Sequence, residues 1–148
     1  MRIPFVSLTP MHNELKEDLL YAFEDTLNKN VYISGAYLEQ FQKDFAHYCG
    51  ISQAVGCGNG LDALYLILKG YGIGKGDEVI IPSNTFIATA LAVSYTGAIP
   101  VLVEPDIDTC TINVKRIEEK ISACTKAIIP VHLYGRCADM DPINQIAD

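Results

Sequence analysis

The sequence predicts an α/β fold: a mostly parallel sheet with flanking helices, behind a helical lead-in. Three observations carry this. Beyond residue 50, short apolar runs alternate with stretches of helical period. Glycine or proline punctuates most of the boundaries. The runs are short and rich in Val and Ile, as in strands covered on both faces. Strand–helix alternation of this kind places helices on the faces of a parallel sheet.

The lead-in holds two predicted helices. Residues 13–30 place Leu15, Leu19, Leu20, Phe23 and Leu27 at helical spacing. Residues 37–48 place Leu38, Phe41 and Phe45 on one face, and Gly50 stops that helix. "VYISGAY" with Gly35 is the turn between them. "QAVGC" then reads as a first strand and "GLDALYLILKGY" as a helix. "GIGKGDE" is a turn leading to the strand "DEVIIP", cut by Pro82. "NTFIATALAVSYTG" is a helix closed by Gly97, followed by the strand "AIPVLVE" and the loop "PDIDTCTIN". "VKRIEEKI" reads as a short exposed helix and "TKAIIPVHLYG" as a strand with a loop after it. "DMDPINQIAD" opens a last helix. The expected division is a lead-in over 1–50 and an α/β part over 51–148.

Composition narrows the function classes. The chain has 148 residues, 49% of them hydrophobic, which is material for one domain with a core. Its net charge of −7 argues against nucleic acid as a partner. No apolar run approaches the ~20 residues of a membrane helix. "MRIPFVSLTP" lacks the apolar stretch of a signal peptide, so the expected location is the cytoplasm. The five cysteines form no C-x-x-C pair and, with the histidines, no zinc spacing. Reduced thiols in the core are expected, and no metal.

In open α/β sheets ligands bind at the carboxyl ends of the strands. Four strand exits carry distinctive residues. The first, "GNGLD", has Gly56, Gly58 and Gly60 as G-x-G-x-G, with Leu61 where a dinucleotide fingerprint needs its last glycine. The acid expected at the second strand's end is also missing. What remains is either an anion cradle at a helix N-terminus or a tight turn that needs Gly60 for positive φ. The second exit, "PSNTF", offers Phe86 for stacking on a flat ring, or merely as a staple or core residue. The third has Glu104, Asp106 and Asp108, which suit a metal or acid–base work, or a solvated loop with a capping Asp. The fourth has His132 and Tyr134, either catalytic or simply packed with their polar atoms satisfied. "GIGKG" around Lys75 precedes a strand and lacks the following Ser/Thr, so it is a turn and not a Walker loop.

Together, "GNGLDAL", "GIGKGDEVIIPSNTFIATALAVSYTGAIPVLVEPDIDT" and "TKAIIPVHLYGRCADMDPI" resemble the DegT/DnrJ/EryC1/StrS nucleotide-sugar aminotransferases. "IPFVSL" and "VYISGAYLEQFQKDFAHYCG" match the same family, so the resemblance covers nearly the whole chain. It implies the N-terminal part of the large domain of fold type I, the aspartate-aminotransferase fold. It implies pyridoxal 5′-phosphate as cofactor, its phosphate held by backbone N–H groups at Gly60, Leu61 and Asp62, and its ring stacked on Phe86. Many relatives have Thr at the place of Leu61, which here offers only its N–H. No definite catalytic role carries over to His132 or Tyr134. The acidic partner of the pyridine nitrogen and the Schiff-base lysine fall beyond Asp148, so no catalytic residue is expected within the chain. None of its eight lysines matches that motif. The chain alone is expected to bind cofactor weakly or not at all, and to be inactive.

A complete relative would move an amino group, commonly from glutamate, to a nucleotide-linked ketosugar for surface glycans or antibiotics. "VEPDID" and "VYISG" favour carbon 3 of a dTDP-6-deoxy ketosugar. The resemblance also implies a homodimer. A same-fold sugar dehydratase, or a non-catalytic fragment or regulatory relic, is the alternative.

Overall fold

The computed structural model describes residues 3–4 and 6–148. Phe5 of the "IPFVSL" match lies outside the described residues. The chain divides into two compact units, residues 1–56 and 57–148.

The first unit is helical. α1 (Thr9–Glu14) and α2 (Lys16–Lys29) replace the single helix expected over 13–30. The helix starts earlier because Pro10 in the first turn suits a position whose N–H is unneeded. It is interrupted at Leu15, which lies outside both helices. α2 ends at Asn30 in the left-handed region (φ 53°), a conformation Asn tolerates. α3 (Ala36–Cys49) ends at Gly50 (φ 66°), as the sequence indicates. Asp25 on α2 ties the two helices: it accepts the Tyr37 hydroxyl at 2.8 Å and pairs with Lys29 at 2.6 Å. Few apolar side chains of this unit are covered. Leu20, Phe23, Phe41 and Phe45 are all exposed.

The second unit is a three-stranded parallel sheet of order β2-β1-β3 between two helical layers. Its elements are α4 (Gly60–Gly70), β1 (Glu78–Pro82), α5 (Ile87–Thr96), β2 (Ile99–Val103), α6 (Val114–Glu118), β3 (Thr125–Ile128) and α7 (Met140–Ala147). β1 is central, in register Ile80↔Val101 with β2 and Ile80↔Ile128 with β3. Successive strand residues point to opposite faces. Val79 and Ile81 therefore join Leu68, Ile73, Ala92 and Val93 beneath α4 and α5. Ile80 joins Val103, Ile117 and Ile143 beneath α6 and α7. Each fully buried Val or Ile contributes roughly 1.5–3 kcal/mol.

Four expectations need correction. "QAVGC" is not a strand: residues 53–57 find no ladder partner among the described residues, and the sheet has only β1, β2 and β3 there. α6 is not wholly exposed, because Ile117 is fully buried and anchors it. β3 ends at Ile128, so Pro130 to Gly135 lie past the strand proper. The cysteines are all free, but Cys49, Cys57, Cys124 and Cys137 are exposed and Cys110 half-buried, at helix ends and in loops rather than in the core.

Candidate functional site

Parallel strands bring their exits to one edge of the sheet. β1 leaves through residues 83–86, β2 through 104–108 and β3 through 129–135. Ser83 N–H donates to the Val103 carbonyl at 2.8 Å, and Asn84 Nδ2 donates to the Cys110 carbonyl at 2.9 Å. These bonds lock the β1 exit to β2 and to the loop after it. Sequence reasoning missed Asn84, whose partner is 26 residues away.

The first exit reaches the same edge by way of its helix. Behind α4, Gly74 lies near the Thr96 carbonyl, and Gly97 lies near Lys75. The carboxyl ends of α4 and α5 are thus neighbours, close to where β1 and β2 begin. Both helices run the same way, so their N-termini share the carboxyl edge of the strands. There α4 presents Asn59–Gly60 and α5 presents Phe86.

The start of α4 is built by Asn59. Its Oδ1 accepts the Asp62 N–H at 2.9 Å, and its Nδ2 donates to Asp62 Oδ2 at 2.9 Å. This is a reciprocal N-cap, with Asn at the cap and Asp three residues on. That spacing was visible in "NGLD", yet the sequence reading assigned Asn59 no role. The Asp62 N–H is therefore already engaged. Gly60 and Leu61 N–H groups have no acceptor among the described residues. They lie at the positive end of the helix dipole.

The glycines are not there for positive φ. None of Gly56, Gly58 and Gly60 has it. A Cβ at Gly56 would collide with Leu38 Cδ1, so that glycine answers a close approach within the first unit. A Cβ at Gly60 would meet nothing within 4 Å. The space ahead of α4 is open, and a bare backbone there admits a close ligand.

Phe86 is the N-cap residue of α5, with 76% of its surface exposed. It is neither a core residue nor covered by a staple partner. At the third exit, Asp106 Oδ1 accepts the N–H groups of Asp108 and Thr109 at 3.0 and 3.2 Å, a loop-capping turn. No cluster of His, Cys, Asp and Glu among the described residues fits a metal. At the fourth exit, His132 Nδ1 accepts the Ala138 N–H at 3.0 Å and Tyr134 is exposed. An apolar groove of about 580 Å³, lined by Leu64, Ile67, Tyr71 and Ile128 among others, runs between α4 and β3. It lies along α4 and β3 and takes in Ile129 and Pro130 at the start of the β3 exit, but neither the N-terminus of α4 nor Phe86.

An anion-ready helix start and an exposed aromatic thus lie at the carboxyl edge of a parallel sheet, the edge at which open α/β folds bind their ligands. The chain belongs to the DegT/DnrJ/EryC1/StrS aminotransferase family, whose model matches residues 13–148. Aminotransferases of this family depend on pyridoxal phosphate. The chain is 50% identical over 145 residues to the dTDP-3-amino-3,6-dideoxy-alpha-D-galactopyranose transaminase of Aneurinibacillus thermoaerophilus, covering 98% of this chain and 40% of that protein. It is 48% identical to the dTDP-3-amino-3,4,6-trideoxy-alpha-D-glucose transaminase of Streptomyces venezuelae, covering 99% and 39%. The crystal structure of NtdA from Bacillus subtilis, with bound cofactor PMP, matches with a TM-score of 0.92 at 39% identity, over 99% of this chain and 34% of that one. The chain thus spans about 40% of the length of the first two relatives. No helix among the described residues is long and apolar enough to cross a membrane.

Proposed function

We propose that residues 57–148 form one wall of a pyridoxal 5′-phosphate site in a cytoplasmic, homodimeric nucleotide-sugar aminotransferase. The observation that carries this reading is the pairing of the two helix N-termini, one with free N–H groups and one with an exposed ring. Gly60 and Leu61 donate their N–H groups to the phosphate. Asp62, in place of donating its own N–H, holds the cradle rigid through Asn59. Phe86 lies against one face of the ring and keeps water from it. Bound there, the cofactor would supply an electron-withdrawing ring and an aldehyde able to carry an amino group between donor and ketosugar. The names of the two transaminase relatives support carbon 3 of a dTDP-linked deoxysugar as the position aminated. Glutamate as donor, and surface glycan or antibiotic sugars as the outlet, rest on the family resemblance alone.

The test compares pyridoxal 5′-phosphate with pyridoxal, which lacks the phosphate, by amide NMR titration of the chain up to millimolar ligand, where even the weak binding expected of the chain alone moves amide shifts. The expected result is movement of the Gly60 and Leu61 amides with the phosphorylated compound only, and a smaller shift at Asp62. Equal responses to both compounds, or none, reject the cradle.

A further inference from the structure

The loop leaving β3 carries a device that the cofactor cradle does not use. Arg136 N–H donates to the Leu133 carbonyl at 3.0 Å, closing a turn around Tyr134 and Gly135. Both central residues have positive φ, 56° and 78°. That is a primed turn, natural for Gly135 and unfavourable for Tyr134, whose Cβ crowds its own backbone in the left-handed region. Tyr134 is nonetheless there, with 81% of its surface exposed. Packing against the core does not hold it.

What closes the base of the loop is His132. An amide N–H only donates, so Nδ1, which accepts the Ala138 N–H, carries no proton. Neutral His132 must then be protonated on Nε2. Ala138 is a firm anchor, since it is buried in the core cluster beneath α6 and α7. A second tie runs from Arg136 Nη1 to the Asp108 carbonyl at 3.5 Å, joining this loop to the β2 exit.

We propose that His132 is a positioning residue: as its Nε2–H tautomer it clamps the β3 exit loop and holds Tyr134, strained and exposed, at the edge where the ligand sits. A non-glycine residue kept in a sparsely populated conformation at a sheet's ligand edge points to a role there. The inference deepens the reading given under Proposed function and rests on it for the ligand, while the clamp itself does not.

The experiment follows the ring nitrogens of His132 by ¹⁵N NMR, Ala138 by amide exchange, and Tyr134 by its amide shift on addition of pyridoxal 5′-phosphate. Asn places an acceptor where Nδ1 stood, and Phe does not. The expected result is an unprotonated Nδ1, with Ala138 protection about tenfold lower in His132→Phe and within about twofold of wild type in His132→Asn. A role of bulk alone would make Phe the better replacement. Restored protection when His132→Phe is combined with Tyr134→Gly, where the strain is relieved, also supports the clamp. Unchanged protection in His132→Phe, or equal loss in both single variants, overturns it. A Tyr134 amide that ignores the cofactor while Gly60 responds overturns the positioning role. Silence at both Gly60 and Tyr134 rejects the cofactor site and with it the ligand part of this inference; the exchange data then decide the clamp alone.

Discussion

Replacing Asn59 by Ala should destabilise the α/β unit while leaving its core untouched. Two bonds are lost, from the Asp62 N–H to Oδ1 and from Nδ2 to Asp62 Oδ2, both 2.9 Å long. Both are exposed, so water takes over the released groups and the net cost of each is modest. Loss of an Asn cap costs about 1 kcal/mol, within a range of roughly 0.5–2. For a unit of roughly 90 residues, 1 kcal/mol lowers the melting temperature by about 4–8 °C. The assay is thermal unfolding of the 148-residue chain, followed by circular dichroism, for wild type, Asn59→Ala and Asn59→Ser. Serine is a cap of similar quality and should recover most of the loss. An Asn59→Ala protein melting within about 1 °C of wild type would refute the reasoning, as would Asn59→Ser falling as far as Asn59→Ala.

Gly60→Ala should leave stability unchanged or raise it by up to ~1 kcal/mol, because φ is not positive and the Cβ meets nothing. The same change should weaken the phosphate-dependent amide shifts, so a destabilised protein with intact shifts contradicts the cradle. Phe86→Ala should cost little stability, since the ring is exposed, yet reduce cofactor affinity by about fivefold, the equivalent of ~1 kcal/mol of stacking, in a fluorescence or NMR titration. The hydrogen bonds from Lys29 and then Tyr37 hold the Asp25 carboxyl below its usual range. Its folded value lies below its unfolded one, so its contribution is present above the unfolded pKa and fades as pH falls through the folded one. Asp25→Asn should therefore remove an acid-side loss of helicity in residues 1–56, and high salt should shrink the difference. An acid profile identical in wild type and the Asp25→Asn variant would dismiss the link.

The β1-α5-β2 core was legible because Val79, Ile80 and Ile81 form an unbroken apolar run between a Gly-rich turn and Pro82. Gly97 announced the end of α5 equally well. The strand expected at "QAVGC" failed for a non-local reason. Val55 carries the right side chain, but a strand exists only where another backbone offers a ladder. Ile117 shows the same limit in a helix: Val114, Ile117 and Ile121 in "VKRIEEKI" cannot by themselves say whether a core waits beneath them. At the candidate site, Phe86 and the glycines stood out by type and position. Asn59 was readable from its spacing to Asp62 and was overlooked. The Asn84–Cys110 and His132–Ala138 bonds were not readable, since each joins a side chain to a backbone group whose place the fold decides.

The central position of β1 also sets an order of events. β2 reaches it through the short crossover of residues 83–98, whereas β3 arrives only after the chain has travelled from residue 83 to 124. Closing the longer loop costs more chain entropy before any contact repays it. The first two strands and α5 should thus assemble in the folding transition state, and β3 should dock afterwards. Kinetically, Ala92→Gly should slow folding, while Ile128→Val should mainly speed unfolding. The opposite pattern in a chevron analysis would mean that the sheet grows from its other side.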